Sequence, residues 1–494
     1  MPFFHGVQTI PVPSTGGTIE VNLSCVIGLI GVSPVGPTQA VTLCNNDTDD
    51  VQFGAATPDN NIAKTLNIIR SVVAGASDKE SDGSTPVIVI NTFNPDTNVG
   101  HYLVGAPLTG TPTIVAPGVN GTIALATTWI TATLDLVKIY TGEGWATEVN
   151  VAAGGTYTYG VDYTMDAYGN FVDITGTYVG VELGFVGSYF DASTVTGAQI
   201  IGEVSGSTYT GSKLLNIVAG LYGFKVKIIV APTYATLTGV EAAMEILAGQ
   251  FRGDWISDAP GGTTKSAALA LRGSGQWDTQ MPQTRPVFPW LQAYDSFANA
   301  NVAYPYSAFL AGMYVANDNN VGFWQSVSNQ QIPGVVGVDM IISTGFTDTN
   351  SDANLLNGAG ILTYLTGYGL GYNTWGNRNA SFPASSSVMT FDNVYRTDGM
   401  VSDAMEQAAL PYVDKGITGA LIDIISTEGN NFLKDLIQEG ALLPGSSIVY
   451  NAADNTAPNL AAGIIAFRRI YMVTTPAENI IFYDVLNINL FNNL

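Results

Sequence analysis

Charge is what this sequence has least of. Only 12% of its 494 residues are Asp, Glu, Lys or Arg, about half the share of an ordinary globular chain. Seventeen basic residues stand against 40 acidic ones, a net charge of −23. Such a chain repels a phosphate backbone and offers no basic stripe to hold one, so nucleic acid is not expected as a partner. Two histidines, His5 and His101, leave almost no material for imidazole catalysis or a multi-histidine metal site. Two cysteines, Cys25 and Cys44, are too few for a disulfide framework and lack metal-ligand spacing, which fits a reducing compartment. No apolar run approaches the ~18 residues that cross a bilayer. The opening residues show no basic segment leading into an apolar one, so neither a membrane anchor nor a secretion signal is expected.

Enzymatic motifs are equally scarce. "GGTTKS" at 261–266 resembles a phosphate-binding loop, but Thr264 stands where glycine must precede the lysine. "GYGLGY" at 367–372 follows no clear strand into a helix and reads as a turn. There is no nucleophile elbow, zinc helix or calcium loop. The sequence points to no catalytic residue, cofactor or metal, and the chain reads as a non-enzyme.

What is present is apolar and small: 46% hydrophobic residues and 55 glycines, with Thr, Ser and Asn in place of surface charge. Such surfaces suit burial against other protein. "CVIGLIGV" reads as a strand buried on both faces; Ile62, Leu66, Ile69 and Val73 follow at helical spacing, then the strand "PVIVI" at 86–90. The same alternation resumes with "KVKIIVAP" at 225–232 and a helix carrying Val240, Met244, Leu247 and Phe251. Between them the text turns to Gly, Thr, Tyr and Val with period-2 stretches, as in an inserted all-β domain. That stretch holds nine acidic residues and one basic one, Lys138, so it is expected to face outward. Further on, helices are expected near 400–412, with Val401, Met405 and Ala408 on one side, and at 417–438. The second carries Leu421, Ile425, Phe432 and Leu436, with Gly429 bending it. The fold class is therefore α/β and α+β multidomain. The expected division is an N-terminal arm (1–24), an α/β middle domain (25–95 and 201–345), the β-rich insertion (96–200), a C-terminal α+β domain (346–479) and a C-terminal arm (480–494).

The two ends are distinctive. Ile19, Val21 and Leu23 alternate with polar residues, as do Leu486, Ile488 and Leu490 with Asn487 and Asn489, the mark of half-buried strands. Either these strands fold back on their own chain or they are donated to neighbouring copies by strand addition.

Between 322 and 378, "GFWQSVSNQQIPGVVGV", "DANLLNGAGILT" and "YNTWGNRNAS" occur in the order and spacing of the contractile tail sheath family of bacteriophages and related injection devices. The resemblance continues in "NVYRTDGMVSDAMEQAALPYV", "GALLPGSSIVYNAADNTAPNLAAGIIAF" and "TTPAENIIF", and at the start in "FFHGVQTI". It implies a subunit that polymerises helically around a tail tube and contracts to drive the tube through a host envelope. The partners it implies are further copies, the tube protein, and baseplate and terminator proteins, in a virion tail assembled in the host cytoplasm. A headless bacteriocin, another injection device or, less readily, a surface layer are the alternatives. The resemblance also implies that both arms are donated, and places Trp375, Gly376, Asn377 and Arg378 in the assembly core, as a packed turn in which the arginine fork ties carbonyls or a carboxylate. It puts the C-terminal domain inside, with Glu428, Asn431, Lys434 and Asp435 on the 417–438 helix as candidate tube contacts.

Overall fold

The computed structural model describes residues 24–56, 60–77, 83–94, 97–103, 192–296, 298–345, 347–367, 369–488 and 490, with short strand segments between 106 and 190. Ile19, Val21 and Leu23 lie outside the described residues.

The apolar run after Cys25 forms β1 (Ile27–Gly31), buried at every position because both of its faces are covered. β2 (Val41–Cys44) follows, then α1 (Asn61–Ala76), and β3 (Val87–Asn91) lies parallel to β1 with Ile27 opposite Val87. The chain then leaves the sheet and returns as β4 (Ile228–Val230), α2 (Val240–Phe251), β5 (Asp254–Asp258), α3 (Lys265–Ser274) and β6 (Thr284–Val287). The order β6-β5-β4-β1-β3-β2 makes five parallel strands closed by the antiparallel edge β2. Within 99–190 the described residues are all strand. Val99–Leu103, Leu136–Ile139 and Leu183–Phe190 belong to a four-stranded antiparallel sheet, and Thr122–Ile123, Tyr163–Met165 and Phe171–Asp173 to a three-stranded one.

Both faces of the six-stranded sheet are packed. On one, Ile27, Leu29 and Val89 meet α1 and a helix further along, α4 (Tyr306–Asn320). On the other, Val26, Ile30 and Ile229 meet Met244 and Leu247 of α2. Helices α1 and α4 approach so closely that a Cβ at Gly312 would sit 2.8 Å from Val72 Cβ, which is why that position has no side chain. Before α4 come β7 (Leu291–Asp295) and β8 (Ala300–Tyr304), joined after it by β9 (Val335–Val338) in a three-stranded antiparallel sheet. α5 (Asp352–Gly358) leads into the hairpin of β10 (Thr363–Gly367) and β11 (Leu370–Trp375), so "GYGLGY" is a turn, with Gly367 and Gly369 at positive φ. Leu356 and Tyr364 from this region pack with Ala259, Trp277 and Phe288 beside the sheet. Thr264 caps α3 and Lys265 pairs with Asp352 at 2.5 Å, so "GGTTKS" is a helix start.

The rest of the chain builds its own core from α6 (Asp392–Ala409), α7 (Gly419–Gln438) and the hairpin β12 (Ser447–Tyr450) and β13 (Phe467–Ile470). Val401, Ala404, Leu433, Leu436 and Ile448 are its centre. One expectation is corrected here. Helix α6 begins at Asp392 rather than near 400, because its first turns are buried by ion pairs rather than by an apolar stripe. α7 is one helix from Gly419 to Gln438, with Gly429 inside it. Its glycine serves close packing, since a Cβ there would lie 2.3 Å from Ile448 Cδ1.

Candidate assembly site

Helix α6 joins the C-terminal core to the sheet through buried charge. Arg285 on β6 donates to Asp254 of β5 at 2.7 Å and to Asp392 at the start of α6. Arg396, one turn along, grips Asp318 of α4 with both terminal nitrogens at 3.1 and 2.9 Å and reaches Asp254 at 3.2 Å. Its guanidinium lies 4.4 Å from the centre of the Tyr314 ring, and the Tyr314 hydroxyl donates to Asp392. The ion-pair side chains are all at most 5% exposed. Burial pushes the Tyr314 phenol far above its ordinary range, with the Asp392 carboxylate adding to the effect, so the hydroxyl remains a donor.

A second knot lies further along α6. Asp403 accepts from Lys227 Nζ at 2.5 Å, Lys225 Nζ at 2.9 Å and Arg252 Nη1 at 2.7 Å, while Arg252 also forks onto Glu406 at 2.6 and 2.8 Å. Burial acts to raise the Asp403 carboxyl, but Lys227 and Lys225 outweigh it and hold the group below its ordinary range. Neither knot was legible in the sequence, where the partners stand tens to more than a hundred residues apart.

The four residues "WGNR" sit where β11 runs out of its hairpin. Trp375 ends β11; with the Asn357 amide oriented by its neighbours, the indole N–H donates to Asn357 Oδ1 at 3.1 Å. Gly376 has φ +128°, a conformation that favours glycine, and the Asn377 carbonyl accepts the Asp392 N–H at 2.9 Å at the head of α6. Arg378 is layered on the Phe391 ring at 3.6 Å, bonds Thr390 at 2.6 Å and forks onto Glu478, with Nε to Oε1 at 2.9 Å. An arginine tied to carbonyls or a carboxylate was expected here; that it is a carboxylate, Glu478 at the root of the last segment, was not.

Beyond Glu478 the chain loses its cover. Phe482 is 83% exposed, Leu486 99%, Ile488 77% and Leu490 62%, and residues 481–487 form no strand. The strand expected over 480–494 is thus not formed by the described residues of that segment, 480–488 and 490, in the single chain; a strand exists only as part of a sheet. The hairpin β12–β13 is two-stranded, with Val449 and Ile470 half exposed on its outer face. On α7, Asn431, Lys434 and Asp435 are exposed side by side, but Glu428 is set apart, half-buried and accepting the Tyr412 hydroxyl at 2.7 Å. Among the described residues no helix is long and apolar enough to cross a membrane.

Comparison with known proteins follows the same lines. Residues 207–380 match the family model described as the phage tail sheath protein central domain. The tail sheath protein of Burkholderia phage BcepMu is 32% identical over 492 residues, covering 97% of this chain and 95% of that one. This chain belongs to the phage tail sheath family. Another tail sheath protein, from Escherichia phage P2, is 26% identical over 288 residues, 57% of this chain and 70% of its own. The mixed α/β fold of the sheath chain is also that of the sheath complex of an extracellular contractile injection system, PVC, in its contracted state. The TM-score is 0.58 at 13% identity, with 99% of both chains covered. The contracted helical sheath of the anti-feeding prophage aligns equally, at TM-score 0.58, 15% identity and full coverage of that chain. The family is a structural one, and the ion-paired knots and "WGNR" turn of this sheath protein are its internal fastenings.

Proposed function

We propose that this chain is the repeating subunit of a contractile tail sheath, polymerising helically around a tail tube and contracting to drive the tube through the host envelope. One observation carries the reading: a terminal segment with Leu486, Ile488 and Leu490 in strict alternation, all exposed, extends past the Arg378–Glu478 anchor, while the hairpin β12–β13 has two strands among the described residues. Each apolar side chain buried by joining a sheet is worth about 1.5–3 kcal/mol before ordering costs. A one-residue slip turns all three outward, so the pattern also sets register. The N-terminal Ile19, Val21 and Leu23 carry the same pattern and are assigned the same role toward another neighbour.

In this reading the α/β middle domain (25–95 and 201–345) and the C-terminal α+β domain (346–479), joined by the buried ion pairs, move as one body, the insertion (96–200) faces outward, and the arms (1–24 and 480–494) keep copies attached. Turn residues 375–378 fasten the C-terminal arm at its root. Asn431, Lys434 and Asp435, with Glu428 at the border of the patch, face the tube. Baseplate and terminator proteins close the ends of the polymer, and assembly takes place in the host cytoplasm before release in virion tails. The deciding experiment is removal of residues 480–494 followed by electron microscopy of the purified protein. Loss of rings and cylinders with a folded subunit is expected; cylinders that form and shorten normally refute the role of the arm.

A further inference from the structure

The roots of the two terminal segments meet at the head of α6. The described residues begin at Ser24, just before β1, and the Ser24 hydroxyl donates to Asp318 Oδ2 at 2.7 Å. Asp318, near the end of α4, is the carboxylate that Arg396 of α6 grips with both terminal nitrogens, and its side chain is 2% exposed. A buried carboxylate needs donors for its lone pairs. The Ser24 hydroxyl supplies one that the arginine fork does not, so the start of the chain is pinned to α6 through a shared carboxylate.

At the other end, the chain leaving β13 is laid along the same helix. Arg469 donates to Ser402 Oγ at 3.1 Å, the Tyr471 hydroxyl donates to Asp398, and Asn393 Nδ2 donates to the Thr474 carbonyl at 3.0 Å. Four residues further on, Glu478 is held by Arg378, whose neighbour Asn377 accepts the Asp392 N–H. Asn393 and Arg396 are three residues apart on a helix and therefore side by side on its surface. Both are at most 5% exposed. The apolar core of α6 is made by Val394, Met400, Val401 and Ala404, so packing alone does not call for a buried amide and guanidinium at its head. Burying them costs desolvation that apolar residues avoid. What they supply is direction, since a planar fork and an amide each accept their partners in one geometry.

We propose that the head of α6, residues 392–396, is a common anchor for both arms and fixes the direction in which one leaves the subunit relative to the other. Ser24, Asp318 and Arg396 are the positioning residues of the N-terminal arm, and Asn393 and Arg378 those of the C-terminal arm. This rests on the strand-donation reading above and adds what makes the two donated ends act as a pair: a copy captured by one arm has its other arm already aimed at the next. Fixing that direction in the free subunit removes the ordering cost from each addition to the polymer.

The test is a double-mutant cycle in the full-length chain, read as the concentration needed for polymerisation. S24A and R378A are each expected to raise it about tenfold, the effect of freeing one backbone residue at the root. In S24A, Asp318 keeps both bonds from Arg396, so the subunit stays folded. A relative direction is lost only once, whichever root is freed. S24A/R378A is therefore expected to fall at least about threefold short of the product of the two single effects. S24T retains the hydroxyl and is expected to polymerise as the native chain does. Single effects that multiply overturn the common anchor, as does an S24A chain that polymerises at the native concentration or an S24T chain as impaired as S24A. If the effects multiply while removal of 480–494 still abolishes assembly, the arms are donated from independent roots; if removal is harmless, both readings fall.

Discussion

Replacing Arg396 by Met isolates what the buried charge knot contributes. The substitution keeps an unbranched side chain of similar length but deletes both bonds to Asp318, at 3.1 and 2.9 Å, the 3.2 Å approach to Asp254 and the stacking on Tyr314. Asp318 is left with the Ser24 hydroxyl at 2.7 Å, in a site 2% exposed. Removing one partner of a buried pair leaves an uncompensated charge and costs about 3–5 kcal/mol, so the folding constant falls on the order of a hundredfold to a few thousandfold. Exchanging both partners for apolar residues removes the stranded charge, so R396M/D318L is expected to recover at least half of the loss. Urea unfolding of the unassembled subunit, followed by tryptophan fluorescence, reads both; Trp324 is a suitable reporter because it packs against the α6 core and its carbonyl accepts from Asn393. A loss for R396M below about 1 kcal/mol, the range of exposed pairs, or a double variant no better than the single one, refutes the view that this knot fastens α6 to the sheet.

Two further predictions concern other groups. Glu241 on α2 is half-buried and accepts from the Ser257 hydroxyl, and desolvation of its carboxyl pushes it up to about 7 from an ordinary 4.5. The fold therefore holds it as the neutral acid: its contribution is full below about pH 4.5, falls as pH rises through 4.5–7 while the unfolded chain ionises first, and levels off above, a swing on the order of 3 kcal/mol. E241Q should remove that part of the pH dependence and gain relative stability at pH 8; Asp258, also pushed up to about 7 by burial, leaves a residual slope. An unchanged stability profile for E241Q between pH 5 and 8 disproves the assignment. R378A should change subunit stability by about 1 kcal/mol or less for its ion pair with Glu478, which is 43% exposed, yet lower the assembled fraction by freeing the root of the arm; an unaltered yield of cylinders counts against that role.

Pattern reading succeeded where burial is one-sided or a strand is sandwiched. The apolar runs of β1 and β3 and the stripe of α1 were legible because each is written in neighbouring residues. Helix α4 was missed although it is the most buried helix of the sheet core: Tyr306 to Asn317 are buried without a break, so there is no polar face to reveal a period of 3.6. The first turns of α6 were missed for the opposite reason. Asp392, Asn393, Arg396 and Thr397 are buried there, polar residues that only distant partners make buriable. The alternation of the arm was legible, but its described residues form no strand in the single chain. The arginine of "WGNR" was expected to tie carbonyls or a carboxylate; Glu478 was not identifiable, because a hundred residues separate it from Arg378.

The placement of cations carries a mechanical consequence. Of the eight arginines in 494 residues, three tie the sheet, α6 and the start of the C-terminal segment together. Arg285 and Arg396 weld the sheet to α6, and Arg378 fastens the start of the C-terminal segment to the turn that feeds the same helix. Tension applied to a donated arm therefore enters at Glu478, passes through Arg378 and the Asn377 carbonyl to the head of α6, and reaches the parallel sheet through Asp392 and Arg285. Every link in that path is a charged or backbone hydrogen bond within one body. Past Glu478, the described residues form no strand and the apolar side chains are uncovered. On the proposed donation of the arms, such a subunit would rotate against its neighbours without its own core yielding, the ion-paired body staying intact while the contacts of the terminal segment change.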